Sequence, residues 1–170
     1  MTLKMILKTI LPDATLGILG GGQLGRMFVM AARTMGYRVI VLDPDPDSPA
    51  AQLANAHLCA AYTDSPALAV MARECAAITT EFENVPAASL AYLAKFCPVR
   101  PSATAVAVTQ DRIREKYFLH SNGFATARYA VIEHPSQIAE AVKKTGLPAL
   151  IKLSRTGYDG KGQRLVRNLH

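Results

Sequence analysis

The sequence has no tryptophan, only three cysteines, and aromatic residues that make up just 6% of its 170 positions. A core without large aromatic side chains must be built from aliphatic residues, and half of the chain is apolar. This composition suits helices packed against a sheet better than an all-β sandwich. The length allows one complete domain and part of another. We therefore predict an α/β protein.

Long hydrophobic runs are also missing. Two lysines interrupt the opening residues MTLKMILKTIL, which therefore lack the apolar stretch of a signal peptide. No segment reaches the length needed to cross a membrane. The cysteines Cys59, Cys75 and Cys97 show no CxxC spacing, which favours free thiols over a metal site. We expect a cytoplasmic protein with no membrane partner.

The net charge of +6 could indicate a nucleic-acid partner. However, the lysines and arginines are scattered, and no alternation of basic and aromatic residues marks a surface that binds nucleic acid. Clustered charge, rather than total charge, creates such a surface. We therefore expect no nucleic acid and favour a small anionic substrate.

Strand and helix patterns alternate from residue 14 to residue 105, after an N-terminal extension at 1–13. The first β-α-β unit starts at Thr15, and further strands are predicted at 57–62, 77–80 and near Val99, with helices at 66–75 and 86–94. This order predicts an open parallel sheet with helices on both faces, a Rossmann-like domain.

Two prolines, Pro98 and Pro101, interrupt this rhythm, and a second region is predicted at 106–170. Its expected elements are a helix at 104–122, a strand at 127–132, a helix at 135–145, and strands at 149–153 and 164–166. This is too little for a generous α+β lobe. We therefore expect an incomplete, truncated second domain.

A GxGxxG spacing at Gly20, Gly22 and Gly25 follows the first strand and opens a helix, so its backbone amides could bind a phosphate. One alternative is a tight turn without a ligand. Another is a dinucleotide site in which Asp43 binds the ribose. The residues PDPDSPA after Asp43 are unlike the usual exit toward a helix, which disfavours the dinucleotide alternative.

Two carboxylates, Glu81 and Glu83, follow the strand at 77–80, at the sheet edge where ligands gather. Either could bind an amine or a hydroxyl. Strand alternation points one of them to solvent, so we expect only one to be functional.

Cations recur in the second region at Arg112, Lys116 and Lys152. Lys152 lies within the apolar residues ALIKL, where burial is costly unless an anion such as phosphate is nearby. The alternative is a lysine that reaches solvent at a strand end. The glycine-rich residues 157–163 allow close backbone approach to phosphate, although they are not a Walker A loop and could form a plain hairpin turn.

Taken together, the motifs resemble the N5-carboxyaminoimidazole ribonucleotide synthetase family of ATP-grasp ligases. The resemblance rests on the strings GGGQLGRM, VLDPDPDSPA, TEFENVP, QDRIREK and GYDGKGQ, in that order and spanning almost the whole chain. It implies a pre-ATP-grasp domain followed by the start of an ATP-grasp domain. The implied reaction belongs to purine biosynthesis and carboxylates 5-aminoimidazole ribonucleotide with bicarbonate and ATP.

The resemblance also implies roles for individual residues. Asp159 and Lys161 would be catalytic. The ATP-binding set would be Arg112, Lys152, Gly157, Tyr158, Asp159, Gly160, Lys161, Gly162 and Gln163. The substrate-binding set would be Gly22, Gln23, Leu24, Glu81, Glu83 and Tyr158.

The implied cofactors are ATP and Mg²⁺, and no metal ligand is expected in this chain, because the family's metal-binding glutamates should follow residue 170. Full-length members are expected to be homodimers. We expect this chain alone to be inactive. The alternative functions are an NAD(P)-binding oxidoreductase domain and a noncatalytic nucleotide-binding module.

Overall fold

The computed structural model describes residues 9–157 and 160–169. The chain divides into two compact units, one ending at Val106 and the other beginning at Ala107. Within the described residues, no helix combines the length and the apolarity needed to span a bilayer.

The first unit is built on a parallel sheet of four strands in the order β3-β2-β1-β4. The strands are β1 Thr15–Leu19, β2 Arg38–Leu42, β3 Ala56–Leu58 and β4 Ala77–Thr80, and the helices between and after them are α1 Gln23–Thr34, α2 Ser65–Glu74 and α3 Ala87–Leu93. The predicted open parallel sheet with flanking helices is confirmed. The strand expected at 57–62 is shorter than predicted, and Val99 forms only an isolated parallel bridge with Ile78.

Both faces of this sheet are buried. On one face, Val39 and Val41 of β2 join a cluster with Val29 of α1. On the other face, Ile40 and Leu42 join a second cluster that contains residues of α2 and α3. A parallel strand is apolar wherever both of its sides are covered, which explains the continuous run from Val39 to Leu42 after the exposed Arg38 of β2.

Helix α1 packs against the sheet through Val29 and Ala32, with the partly buried Phe28 beside them. Gly25, Val29 and Ala32 are buried, whereas Leu24 and Met27 are 62% and 57% exposed. The helix of the predicted β-α-β unit is confirmed. Gly36 follows the helix with φ +85, the left-handed conformation that glycine adopts at helix ends.

The second unit holds fewer elements. After α4 Ala103–Thr109, which begins before the division, the elements are α5 Arg112–Ser121, a 3₁₀ turn at Pro135–Gln137, α6 Ile138–Thr145, and the antiparallel pair β5 Ala149–Lys152 and β6 Gln163–Val166. The predicted helix at 104–122 is therefore two helices. The Asp111 side chain accepts hydrogen bonds from the amides of Ile113 and Arg114 and starts the second one.

The strand predicted at 127–132 is wrong. These residues carry no strand assignment, and the described sheet of this unit contains only β5 and β6. This segment is rich in apolar residues, but a strand also needs a neighbouring strand that pairs with its backbone groups. The helix predicted at 135–145 begins with the 3₁₀ turn, where Gln137 accepts hydrogen bonds from the amides of Glu133 and His134.

Candidate functional site

The glycine turn of the first unit lies between β1 and α1, at the carboxyl edge of the sheet. Gly20 has φ +103, and a Cβ atom there would lie 2.7 Å from Cβ of Glu81. A Cβ on Gly25 would lie 2.6 Å from the carbonyl oxygen of Gly20. These glycines are therefore needed because the turn, the helix and residue 81 approach one another closely.

Glu81 occupies the amides of this turn. Its Oε2 accepts a hydrogen bond from the amide of Gly22 at 2.6 Å, and its Oε1 accepts one from the amide of Leu24 at 3.0 Å. Gly22 supplies no side-chain cap to α1, so this carboxylate stabilises the positive end of the helix. In this structure a carboxylate of the chain holds these two amides, so a phosphate would have to displace Glu81 to bind them, and their role in phosphate binding stays a prediction.

Glu81 is thus the candidate carboxylate that binds the amides of the glycine turn. Oε1 of Glu83 accepts a hydrogen bond from the side-chain amide of its neighbour Asn84 at 3.2 Å. Both residues follow β4 outside any strand, and both are partly buried, so the expectation that strand alternation turns one of them to solvent is not supported. That either one binds substrate stays a prediction.

Asp43 is also engaged by its own chain. It is 8% exposed. Its Oδ2 accepts hydrogen bonds from the amide of Gly21 and the hydroxyl of Tyr62, each at 2.7 Å, and its Oδ1 accepts one from the amide of Asp45 at 2.8 Å. A ribose would have to displace these donors, so the geometry disfavours the dinucleotide alternative.

Tyr62 completes this network, and no motif in the sequence pointed to it. Burial, together with the hydrogen bond to Asp43 and the nearby negative charges, raises the pKa of the Tyr62 hydroxyl above its usual value of 10.0. The hydroxyl therefore remains a donor at neutral pH. Its ring packs edge-on against Phe82, with 6.0 Å between the ring centroids.

In the second unit, the glycine-rich loop joins the ends of β5 and β6. Lys152 pairs with Gln163 across the two strands, and the amide of Leu153 donates to the carbonyl of Gly162 at 2.8 Å. Lys152 is exposed. The argument that an anion must offset its burial is therefore wrong, and only the resemblance supports its role in ATP binding.

Arg112 lies against the same loop. Its backbone amide donates to the carbonyl of Ser154 at 2.8 Å, and its Nη2 donates to the carbonyl of Gly157 at 2.9 Å. The structure thus brings Arg112 together with the start of the loop, whereas Lys116 lies elsewhere, with its Nζ 5.9 Å from the ring centroid of Tyr129.

The remaining predicted loop residues are only partly described. Gly160 and Gly162 have φ values of +79 and +70, which only glycine adopts readily. Tyr158 and Asp159 lie outside the described residues. Among residues 9–157 and 160–169, no cluster of three or more His, Cys, Asp or Glu side chains could hold a metal ion.

Residues 13–110 match the family described as the ribonucleotide synthetase preATP-grasp domain, and residues 117–170 match the ATP-grasp domain. The chain therefore belongs to the ribonucleotide synthetase preATP-grasp family and continues into part of an ATP-grasp domain.

Among curated proteins, the chain is similar to the N5-carboxyaminoimidazole ribonucleotide synthase of Brucella melitensis, with 44% identity over 93% of this chain and 44% of that protein. It is 39% identical to the synthase of Bacillus subtilis, over 93% of this chain and 42% of that protein. The chain thus spans less than half the length of these relatives.

Solved structures give the same result. The Staphylococcus aureus N5-carboxyaminoimidazole synthetase complexed with ADP superposes with a TM-score of 0.90 and 38% identity, over 94% of this chain and 43% of that one. The Aspergillus clavatus enzyme, solved with ADP and 5-aminoimidazole ribonucleotide, superposes with a TM-score of 0.79 and 29% identity, over 92% and 41% of the two chains.

Proposed function

We propose that this chain carries the N-terminal part of an ATP-dependent ligase that converts 5-aminoimidazole ribonucleotide, bicarbonate and ATP into N5-carboxyaminoimidazole ribonucleotide, ADP and phosphate. The observation that carries the proposal is the contact of Arg112 with the glycine-rich loop at Gly157. It supports the proposal because it joins two parts of the predicted ATP site that lie 45 residues apart in sequence. The similarity to synthases over 93% of this chain supports it independently.

In the proposed reaction, bicarbonate oxygen attacks the γ-phosphorus of ATP, and ADP leaves. The resulting carboxyphosphate transfers its carboxyl group to the amine of the ribonucleotide, with release of phosphate and a proton. Such phosphoryl transfer depends on positioning and charge stabilisation more than on covalent help from the protein. Mg²⁺ would supply positive charge to offset the charge that develops on the phosphates, and we propose that its ligands come from sequence that follows residue 170 in relatives.

Within this proposal, the cations Arg112 and Lys152 bind the phosphates of ATP. Asp159 and Lys161 act at the transferred group, and the loop residues from Gly157 to Gln163 cover the nucleotide. On the substrate side, we retain Gln23, Glu83 and Tyr158 from the resemblance. Glu81 binds the Gly22 and Leu24 amides, which orients the turn next to Gln23.

The proposal is tested by measuring phosphate release with all three substrates and Mg²⁺, using this chain alone and mixed with the separately expressed remainder of a relative. We expect turnover only in the mixture, abolished by Lys152→Ala and retained by Lys144→Ala, a change of another second-unit lysine outside the proposed site. Turnover by the chain alone would show that the catalytic metal site lies within it. Absence of turnover in a mixture that forms a stable complex would refute the proposed activity.

The dinucleotide alternative predicts that the chain binds NAD or NADP, whereas our proposal predicts that it does not. Because Asp43 is held by the Gly21 amide and the Tyr62 hydroxyl, and Glu81 occupies the turn, we expect no saturable binding of NAD or NADP at micromolar concentrations by calorimetry. Saturable binding that is lost in Asp43→Asn would favour an oxidoreductase domain.

A further inference from the structure

The first turn of α5 is tied to the start of the glycine-rich loop. We call residues 154–157 the loop base. The amide of Arg112 donates to the carbonyl of Ser154 at 2.8 Å, and Nη2 of Arg112 donates to the carbonyl of Gly157 at 2.9 Å. The carboxylate of Asp111 also lies 3.9 Å from Nη1 of Arg155. Both ends of the loop base are thus held by one residue.

These contacts differ in strength. The pair of Asp111 and Arg155 has an arginine side chain that is 56% exposed, so water screens it and it contributes little. The bond from Arg112 is partly buried and has a charged donor, and such bonds are stronger than neutral ones. Thr156, next to Gly157, has φ +60, a conformation that a β-branched residue adopts only when its surroundings impose it. The guanidinium therefore supplies the main constraint on the loop base.

A guanidinium has five N–H donors in a fixed fork. It can hold a carbonyl oxygen with one donor and a phosphate oxygen with another, whereas the single nitrogen of a lysine cannot span two separated acceptors in this way. The number and spacing of its donors, and not only its charge, therefore favour an arginine over a lysine at this position.

We propose that Arg112 is a positioning residue for the glycine-rich loop, in addition to the ATP contact that the proposed function gives it. By holding the Gly157 carbonyl against the start of α5, it fixes the loop base before the nucleotide arrives. The effect of this positioning on catalysis rests on the proposed function. The hydrogen bond between Arg112 and Gly157 itself is present in the chain without nucleotide.

The test is limited trypsin digestion of the whole chain without nucleotide, followed by mass spectrometry of the cut after Arg155. Cleavage of a folded protein tracks the fraction of molecules that are locally open. We expect Arg112→Gln to raise the rate of this cut roughly tenfold, because it removes a bond from a charged donor. The rate of the cut after Lys143 in α6 should stay unchanged. Arg114→Gln, on the same helix with the same loss of charge, is the matched control and should match the wild type.

Arg112→Lys should fall between the wild type and Arg112→Gln, because its ammonium can still donate to the Gly157 carbonyl. The proposal is overturned if Arg112→Gln leaves the cut after Arg155 unchanged, if it raises the cut after Lys143 equally, or if lysine rescues nothing. Repeating the digestion with Mg-ATP distinguishes the positioning role of Arg112 from the proposed role of the loop in nucleotide binding. Failure of Mg-ATP to protect the wild-type loop would count against nucleotide binding but not against the positioning role.

Discussion

The two units use their apolar residues differently. In the first unit, strands such as β2 are covered on both faces, and Leu42 is 0% exposed. In the second unit, apolar residues of the two-stranded sheet face solvent, and Leu150 is 53% exposed. The same residue type therefore stabilises one unit through burial and contributes little in the other.

The polar residues show a related difference. In the first unit, Asp43 and Glu81 are held by backbone amides of their own chain, so these carboxylates shape the glycine turn. In the second unit, Lys152 is exposed, and Arg112 donates a hydrogen bond to the loop that it is proposed to serve. The first unit thus uses carboxylates to hold backbone amides, whereas the second unit uses one cation to hold a backbone carbonyl and exposes another to solvent.

The largest effect is expected from a matched pair of substitutions in the two sheets. Leu42→Ala should lower the free energy of unfolding of the first unit by about 3 kcal/mol, because it leaves a cavity in a closely packed core. Leu150→Ala removes the same atoms from an exposed position and should cost less than about 1 kcal/mol. Urea denaturation followed by circular dichroism measures both, and equal losses would contradict the difference in burial.

A smaller effect is expected at the glycine turn. Glu81→Ala leaves the amides of Gly22 and Leu24 without their acceptor and removes a negative charge from the start of α1. The expected loss is about 2 kcal/mol in the free energy of unfolding. Glu83→Ala, the matched control, should lower the free energy of unfolding by less. If Glu83→Ala were the less stable variant, Glu81 would not be the carboxylate that stabilises the turn.

The sequence predicted most of the first unit because its signals are local. Strand patterns that alternate with helix patterns, together with a glycine cluster and Gly36, indicate the order of the elements. The continuous apolar runs indicate that the strands are buried on both faces. The partners of Asp43 and Glu81 could not be predicted, because Tyr62 and Gly22 lie 19 and 59 residues away from them. The sequence of a glycine turn is the same whether its amides bind a phosphate or a carboxylate of the chain.

The second unit was predicted less well. The break between α4 and α5 had a signal that was missed, since Asp111 is a favoured residue at the start of a helix. The absent strand at 127–132 had none, because pairing depends on residues far along the chain. Site residues there came from the resemblance, and the structure adds the contact between Arg112 and Gly157 and the pairing of Lys152 with Gln163.

The smallest effect concerns the pH dependence of the first unit. Burial, and to a lesser extent the neighbouring Cys97 and Glu74, raises the pKa of the Cys75 thiol from 9.0 to about 12. Below pH 9 the thiol is protonated in both the folded and the unfolded chain, so this contribution to stability is fully present. Between pH 9 and about 12 the unfolded chain loses the proton while the folded chain keeps it, so stability falls as the pH rises.

We therefore expect the free energy of unfolding to fall by about 1 kcal/mol more in the wild type than in Cys75→Ala between pH 8 and pH 10. The substitution also leaves a small cavity, but that cost is the same at both pH values and cancels in the comparison. Cys59→Ala removes an exposed thiol and should follow the wild type. Urea titrations at the two pH values measure the difference. A Cys75→Ala variant whose stability falls as steeply as that of the wild type would show that Cys75 ionises as readily in the folded chain as in the unfolded one, and that the core around it admits a charge.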